Sequence, residues 1–213
     1  MDADIEAARP WIEAANPTHP SLIDQNHEVS SLYNMVNVPQ CVWIDENGII
    51  VRPPETGGSI DMLRFFDPET GTFAEDKLAL AADARTTYTN AVRDWAVNGA
   101  NSKFVFDAKD AREHVPEMSG DVALAHATFQ LGRFVQDQGN QAEADRLFAI
   151  CRDLHPASWN MFRQTTEKEE TGIAVGAEFF AKVGALGDEP YYAGVDMEGM
   201  PQPEDLSPIG FMV

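Results

Sequence analysis

The stretch Leu32 to Pro53, LYNMVNVPQCVWIDENGIIVRP, restricts the fold more than any other part of the chain. Two runs of strand-forming residues, CVWI and IIVRP, flank DENG, where Asn47-Gly48 offers the positive backbone dihedrals that a tight hairpin turn requires. An X-Pro step, Val38-Pro39, stands directly before the first run, and a proline at that position suits an edge strand or a turn leading into one. The expected local structure is a helix end, the X-Pro step and then a β-hairpin.

The whole chain has 213 residues, enough for one large or two small domains. With 44% apolar residues it can build a core. Fifteen Lys and Arg stand against 35 Asp and Glu, a formal charge of -20, so a phosphate backbone meets no basic footprint and nucleic acid is not an expected partner. The opening MDADIEAARPWIEAAN has neither a basic start nor a long apolar run, so no secretory signal or membrane span is expected there and the default compartment is the cytoplasm.

Periodicity divides the rest. Residues 4–15 place Ile5, Ala8, Trp11, Ile12 and Ala15 at helical spacing, with a bend or restart expected at Pro10. SLID, residues 21–24, is a short run of strand type. HEVSSLYNMV offers Val29, Leu32, Tyr33 and Val36 as one helical face, expected to pack on the hairpin sheet. From Pro54 to residue 77 a Gly-, Pro- and Asp-rich excursion has at most a helical turn around Ile60 to Phe66, with Leu63, Phe65 and Phe66 as anchors. A long helix is expected from Leu78 to a Gly99 cap, burying Leu80, Ala84, Tyr88, Ala91, Val92 and Trp95. KFVF reads as extended, AREHV as a helical turn, SWNMFRQTTEKEE and AEFFAKVGAL as further helices. Within the first of these, Trp159 and Phe162 face inward and the charge run Glu167 to Glu170 is a solvated end. The Pro-rich tail from Gly187 should be extended, with Tyr191, Tyr192, Phe211 and Met212 docking parts of it on the body.

The order helix, Val-Pro, strand, I-D-x-x-G, strand resembles the C-terminal half of a thioredoxin-like domain, most closely the TlpA/ResA-like redoxins, over residues 3–53. The resemblance implies that Pro39 is cis, which proline tolerates at a cost of about 0.5–1 kcal/mol. It also implies that the Val38 backbone faces a redox site and pairs with an extended substrate, so Val38 and Pro39 are the candidate substrate-binding residues. The family's reactive cysteines lie at a helix N-terminus, where a thiol pKa is lowered, and this chain contains no Cys-x-x-Cys. Two explanations remain, an N-terminally truncated product or a degenerate descendant. The intact hairpin and the open edges that half a sheet would leave favour the first.

Residues 121–156, DVALAHATFQLGRFVQDQGNQAEADRLFAICRDLHP, resemble a single tetratricopeptide repeat. Leu131 and Gly132 stand at its Leu-Gly step, Gly139 at the turn, Ala144 and Phe148 on the second helix, and Pro156 at its end. Thr128, Val135 and Cys151 depart from the preferred Trp, aromatic and Ala. One repeat cannot bury its apolar face alone, so neighbouring helices, or a protein or peptide partner on the repeat face, are expected to cover it.

Candidate chemistry is sparse. Cys41 is the sole thiol near the Val38-Pro39 step and a possible redox group, but no basic neighbour in sequence lowers its pKa, so a packing role is expected. Cys151 is read as packing. The five histidines lack metal-ligand spacing, and neither a metal nor another cofactor is implied. The expected class is α+β, with a partial thioredoxin-like unit over 1–56, a linker over 57–77, a helical tetratricopeptide-like region over 78–186 and an extended tail over 187–213. The leading expectation is a relative of thiol-disulfide oxidoreductases that is inactive in isolation. The alternative is a non-catalytic interaction module.

Overall fold

A computed structural model describes residues 5–67, 70–116, 118–168, 174–202 and 206. It is an α+β chain, mainly helical, with two small antiparallel sheets. Two compact units are built from interleaved stretches: Met1–Val36 with Met118–Thr165, and Asn37–Glu117 with Thr166–Val213. Phe211, Met212 and the end of the Glu167 to Glu170 run lie outside the described residues.

The first unit is helical throughout its described elements. Helix α1, Ile5–Ala15, runs through Pro10 without a break and buries only Ala8. Pro10 sits in its second turn, yet the expected restart does not occur. SLID forms no strand. Its Asp24 carboxylate instead accepts the backbone N–H groups of Glu28 at 2.9 Å and Ser30 at 3.0 Å, satisfying donors at the start of α2, Glu28–Leu32. That helix is half its expected length because His27 and Asn34 take left-handed backbone conformations on either side of it. The expected buried face also differs: Val29 and Leu32 are 49% and 80% exposed, and Ser30 is the buried residue.

Helices α5, Gly120–Asp137, and α6, Gln141–Leu154, form the expected antiparallel hairpin. Ser119 and Asn140 cap their N-termini through side-chain oxygens, and Gly139, at φ 81°, makes the turn. Gly132 is required by packing: a Cβ there would come within 2.6 Å of the Phe148 ring. Ala125, Phe129, Ala144, Phe148 and Cys151 form the core together with Met161 of α7, Trp159–Thr165.

The second unit is organised around strands β1, Gln40–Ile44, and β2, Ile50–Thr56. The Val38-Pro39 bond is cis. Between the strands the Asp45 carboxylate accepts N–H from Asn47 and Ile49, and Gly48 alone of the turn residues has positive φ, so the side chain of Asp45 replaces the second positive dihedral expected at Asn47. Pairing joins Cys41 to Glu55 and Trp43 to Arg52, with an irregularity between. Pro53 and Pro54 fall opposite it, where no ladder donor is needed, and β2 therefore continues past the two prolines.

The excursion is shorter than its composition suggests. Met62–Phe65 is a 3-10 turn, and β3, Phe66–Asp67, pairs with β4, Thr72–Phe73, their two Phe rings 5.3 Å apart. Helix α3, Glu75–Asn98, buries Ala84, Tyr88 and Ala91 and ends at Gly99 as expected. KFVF turns over residues 103–105 instead of running extended; Phe106 N–H then donates to the Val51 carbonyl at 3.1 Å beside β2, and Asp107 caps α4, Ala108–Glu113. Helix α8, Ala177–Gly184, buries Phe179 against Tyr191. Trp43, Ile60, Ala84, Tyr88 and Ala91 share one core with Val195, Met197 and Met200, so residues 191–200 of the tail are part of the body.

Candidate functional site

The candidate site begins at the Val38-Pro39 step. The Val38 side chain is 43% exposed, but its backbone is engaged on both sides. Val38 N–H donates to Asn37 Oδ1 at 2.9 Å, and the Val38 carbonyl accepts from the Tyr192 hydroxyl at 2.7 Å. The tail is held there by several bonds. Asn37 Nδ2 donates to the Tyr191 carbonyl at 3.2 Å, the Tyr191 hydroxyl donates to Asn37 Oδ1 at 3.3 Å, and Tyr191 N–H donates to Asp61 Oδ2 at 2.8 Å. The Pro39 carbonyl accepts Gly57 N–H at 3.1 Å.

Cys41 follows on β1, with its thiol turned into the core and both chain thiols free. Gly57 makes room for it, since a Cβ there would stand 2.7 Å from Cys41 Sγ. Burial is the main cause that pushes the thiol pKa up; the Tyr88 hydroxyl works against this, and the Glu55 carboxylate adds to the rise. A thiol so placed is a poor nucleophile near neutral pH.

Around Cys41 lies a polar network that sequence reading missed. Arg52 is 1% exposed. Its Nε and Nη2 donate to the two Glu55 oxygens, each at 2.8 Å, while Nη1 and Nη2 also donate to the carbonyls of Phe104 and Asp196 at 2.7 Å. Its guanidinium lies 4.1 Å from the Phe106 ring centre. Trp43 Nε1–H donates to the Tyr88 hydroxyl, which donates to Glu55 Oε1, both at 2.9 Å. Burial foremost, then Glu55, drives the Tyr88 pKa upward. Arg52, Glu55, Tyr88 and Trp43 are thus joined by side-chain hydrogen bonds into one network. Removing one member of a buried pair of this kind costs about 3–5 kcal/mol, because its partner keeps an uncompensated charge.

The helical unit has a second cluster. Asn34 Oδ1 lies 3.0 Å from both His126 Nε2 and His155 Nε2, so both rings donate to one oxygen when neutral. His126 Nδ1 is buried without a hydrogen-bond partner. Burial lowers the pKa of both rings, and His126 lowers that of His155 further. Nearby, a cavity of about 10 Å³ touches His27, Ser30, His126 and Ser158, room for one water molecule.

The sequence-singled residues therefore gather in part: Val38, Pro39 and Cys41 lie along one short segment, joined by Gly57. Tyr192, expected as a docking residue of the tail, and Asn37, which only its place beside the X-Pro step could have marked, complete the surroundings of Val38. Among the described residues, no three His, Cys, Asp or Glu side chains are placed to hold a metal, and no helix is long and apolar enough to cross a membrane. No protein-family model, curated protein or solved structure matches the chain.

Proposed function

We propose that this chain is a non-catalytic protein-binding molecule of redoxin ancestry, in which the β1–β2 hairpin is a scaffold and the α5–α6 hairpin, read as one tetratricopeptide-like repeat, supplies the binding face. The observation that carries this reading is the Tyr192 hydroxyl on the Val38 carbonyl. An extended substrate pairing with that backbone would have to displace a bond that the chain makes with itself. The partly buried Cys41 thiol, its pKa raised chiefly by burial, supports the same reading, because exchange requires a thiolate. On the helical side, Leu131 and Phe134 of α5 remain exposed after the repeat has packed on its neighbours.

A second reading, the substrate edge of a TlpA/ResA-like thiol-disulfide oxidoreductase, is favoured by the half-exposed Val38 side chain beside Pro39. It requires a Cys-x-x-Cys pair that these 213 residues do not contain. Insulin reduction by the purified chain, with dithiothreitol as the electron source, tests whether exchange chemistry remains in it. No turnover above the uncatalysed rate is expected; turnover that disappears in Cys41→Ser would overturn the binding reading.

A further inference from the structure

Building on the binding reading above, we infer that the outer face of α5 is a docking surface for a cationic amphipathic helix. Leu124, Leu131 and Phe134 recur at spacings that place them on one side of the helix, and they are 54%, 51% and 62% exposed. Ala127, also exposed, lies between them. A solvated helix back ordinarily carries charged residues. This one carries none from Leu124 to Phe134, about 15 Å of helix. Arg133, the only Arg or Lys of α5, belongs to another side of the helix, where its Nη1 donates to the Gln25 carbonyl at 2.8 Å. Exposed acids, Asp121 and Asp137, stand at the two ends of the helix.

Charge selects the occupant. A second copy would bring one chain of formal charge -20 against another. An anionic lipid surface meets the same repulsion. A helix with an apolar ridge at i, i+3 or i+4 and i+7 matches the Leu124–Leu131–Phe134 stripe, and Lys or Arg at its ends would pair with Asp121 and Asp137. The acidic field of the whole molecule would steer such a partner inward.

The experiment is fluorescence anisotropy of the full chain against a labelled Leu/Ala-ridged helical peptide with lysines at both ends, alongside the same peptide with glutamates at its ends. The lysine peptide is expected to bind saturably, more weakly as salt is raised, and the glutamate peptide not to bind. Phe134→Ser or Leu131→Ser should weaken binding about tenfold or more. Far-UV circular dichroism verifies that these solvent-facing variants fold, and Asp121→Asn with Asp137→Asn should weaken binding without touching the apolar stripe. No saturable binding, or a Kd unchanged in Phe134→Ser, would overturn the surface, and dimerisation lost in Phe134→Ser would overturn the cationic partner in favour of a second copy. Equal binding of the two peptides at this face would overturn the cationic partner and leave the binding reading standing, whereas insulin turnover would remove that reading itself.

Discussion

At the scale of single residues, Gly57 leaves the least room for a side chain among the described glycines of the hairpin unit. A Cβ at Gly57 would sit 2.7 Å from Cys41 Sγ. Gly57→Ala should destabilise the chain by about 1–3 kcal/mol, the usual cost of overpacking. Adding Cys41→Ala should restore most of that loss, because the two changes share one small space. Urea denaturation followed by tryptophan fluorescence, which Trp43 and Trp95 report as a stacked pair, measures both. Strictly additive losses would show that the clash is not the cause. Cys41 was legible from sequence as a packing residue, since nothing basic lay near it. Arg52 was not, because a cation in IIVRP reads as solvent-facing. Its burial depends on carbonyls from Phe104 and Asp196, partners that no local pattern announces.

At the scale of elements, histidines in the two units contribute to stability with opposite dependence on pH. His126 and His155 have pKa values lowered in the fold, so the unfolded chain takes up protons first as pH falls. Their stabilising contribution is present above the unfolded value of about 6.5 and is lost as pH drops below it. His114, which stacks on Phe106 at 4.1 Å, is the reverse case. The Asp110 carbonyl first, and then the Asp196 carboxylate, raise its pKa. Its contribution is fully present below about 6.5 and is lost as pH rises through the folded value. Melting of the α5–α6 hairpin, followed by amide exchange, should become easier between pH 7 and about 5.5, and His126→Gln with His155→Gln should remove that dependence. An unchanged dependence in the double variant would point to other groups.

The α5–α6 hairpin itself was legible in the spacing of Leu131, Gly132, Ala144 and Phe148, where close approach needs small residues. The strand expected at SLID was not realised, because an apolar tetrapeptide without a neighbouring strand gains less than Asp24 gains by capping α2. Helix α2 is short for a related reason: αL residues at His27 and Asn34 bound it, and periodicity carries no record of such turns.

At the scale of the whole molecule, order along the chain is a poor guide to order in space. The opening helices join residues 118–165, and the tail returns to the hairpin to fill its core with Val195, Met197 and Met200. The sequence marked the tail's aromatics as docking residues, yet it had no means to say that Tyr192 would reach the Val38 carbonyl. With that backbone edge occupied and the nearby thiol partly buried, the hairpin unit takes the supporting role in the proposed function and the helical unit the binding role. The most direct test is the pH dependence of Cys41 alkylation by iodoacetamide, resolved from Cys151 by peptide mass spectrometry. A non-catalytic hairpin predicts slow labelling at neutral pH, with a midpoint above the ordinary thiol value of about 8.5. Rapid labelling of Cys41 with a midpoint below about 7 would contradict it, since that is the behaviour of an activated redox thiol.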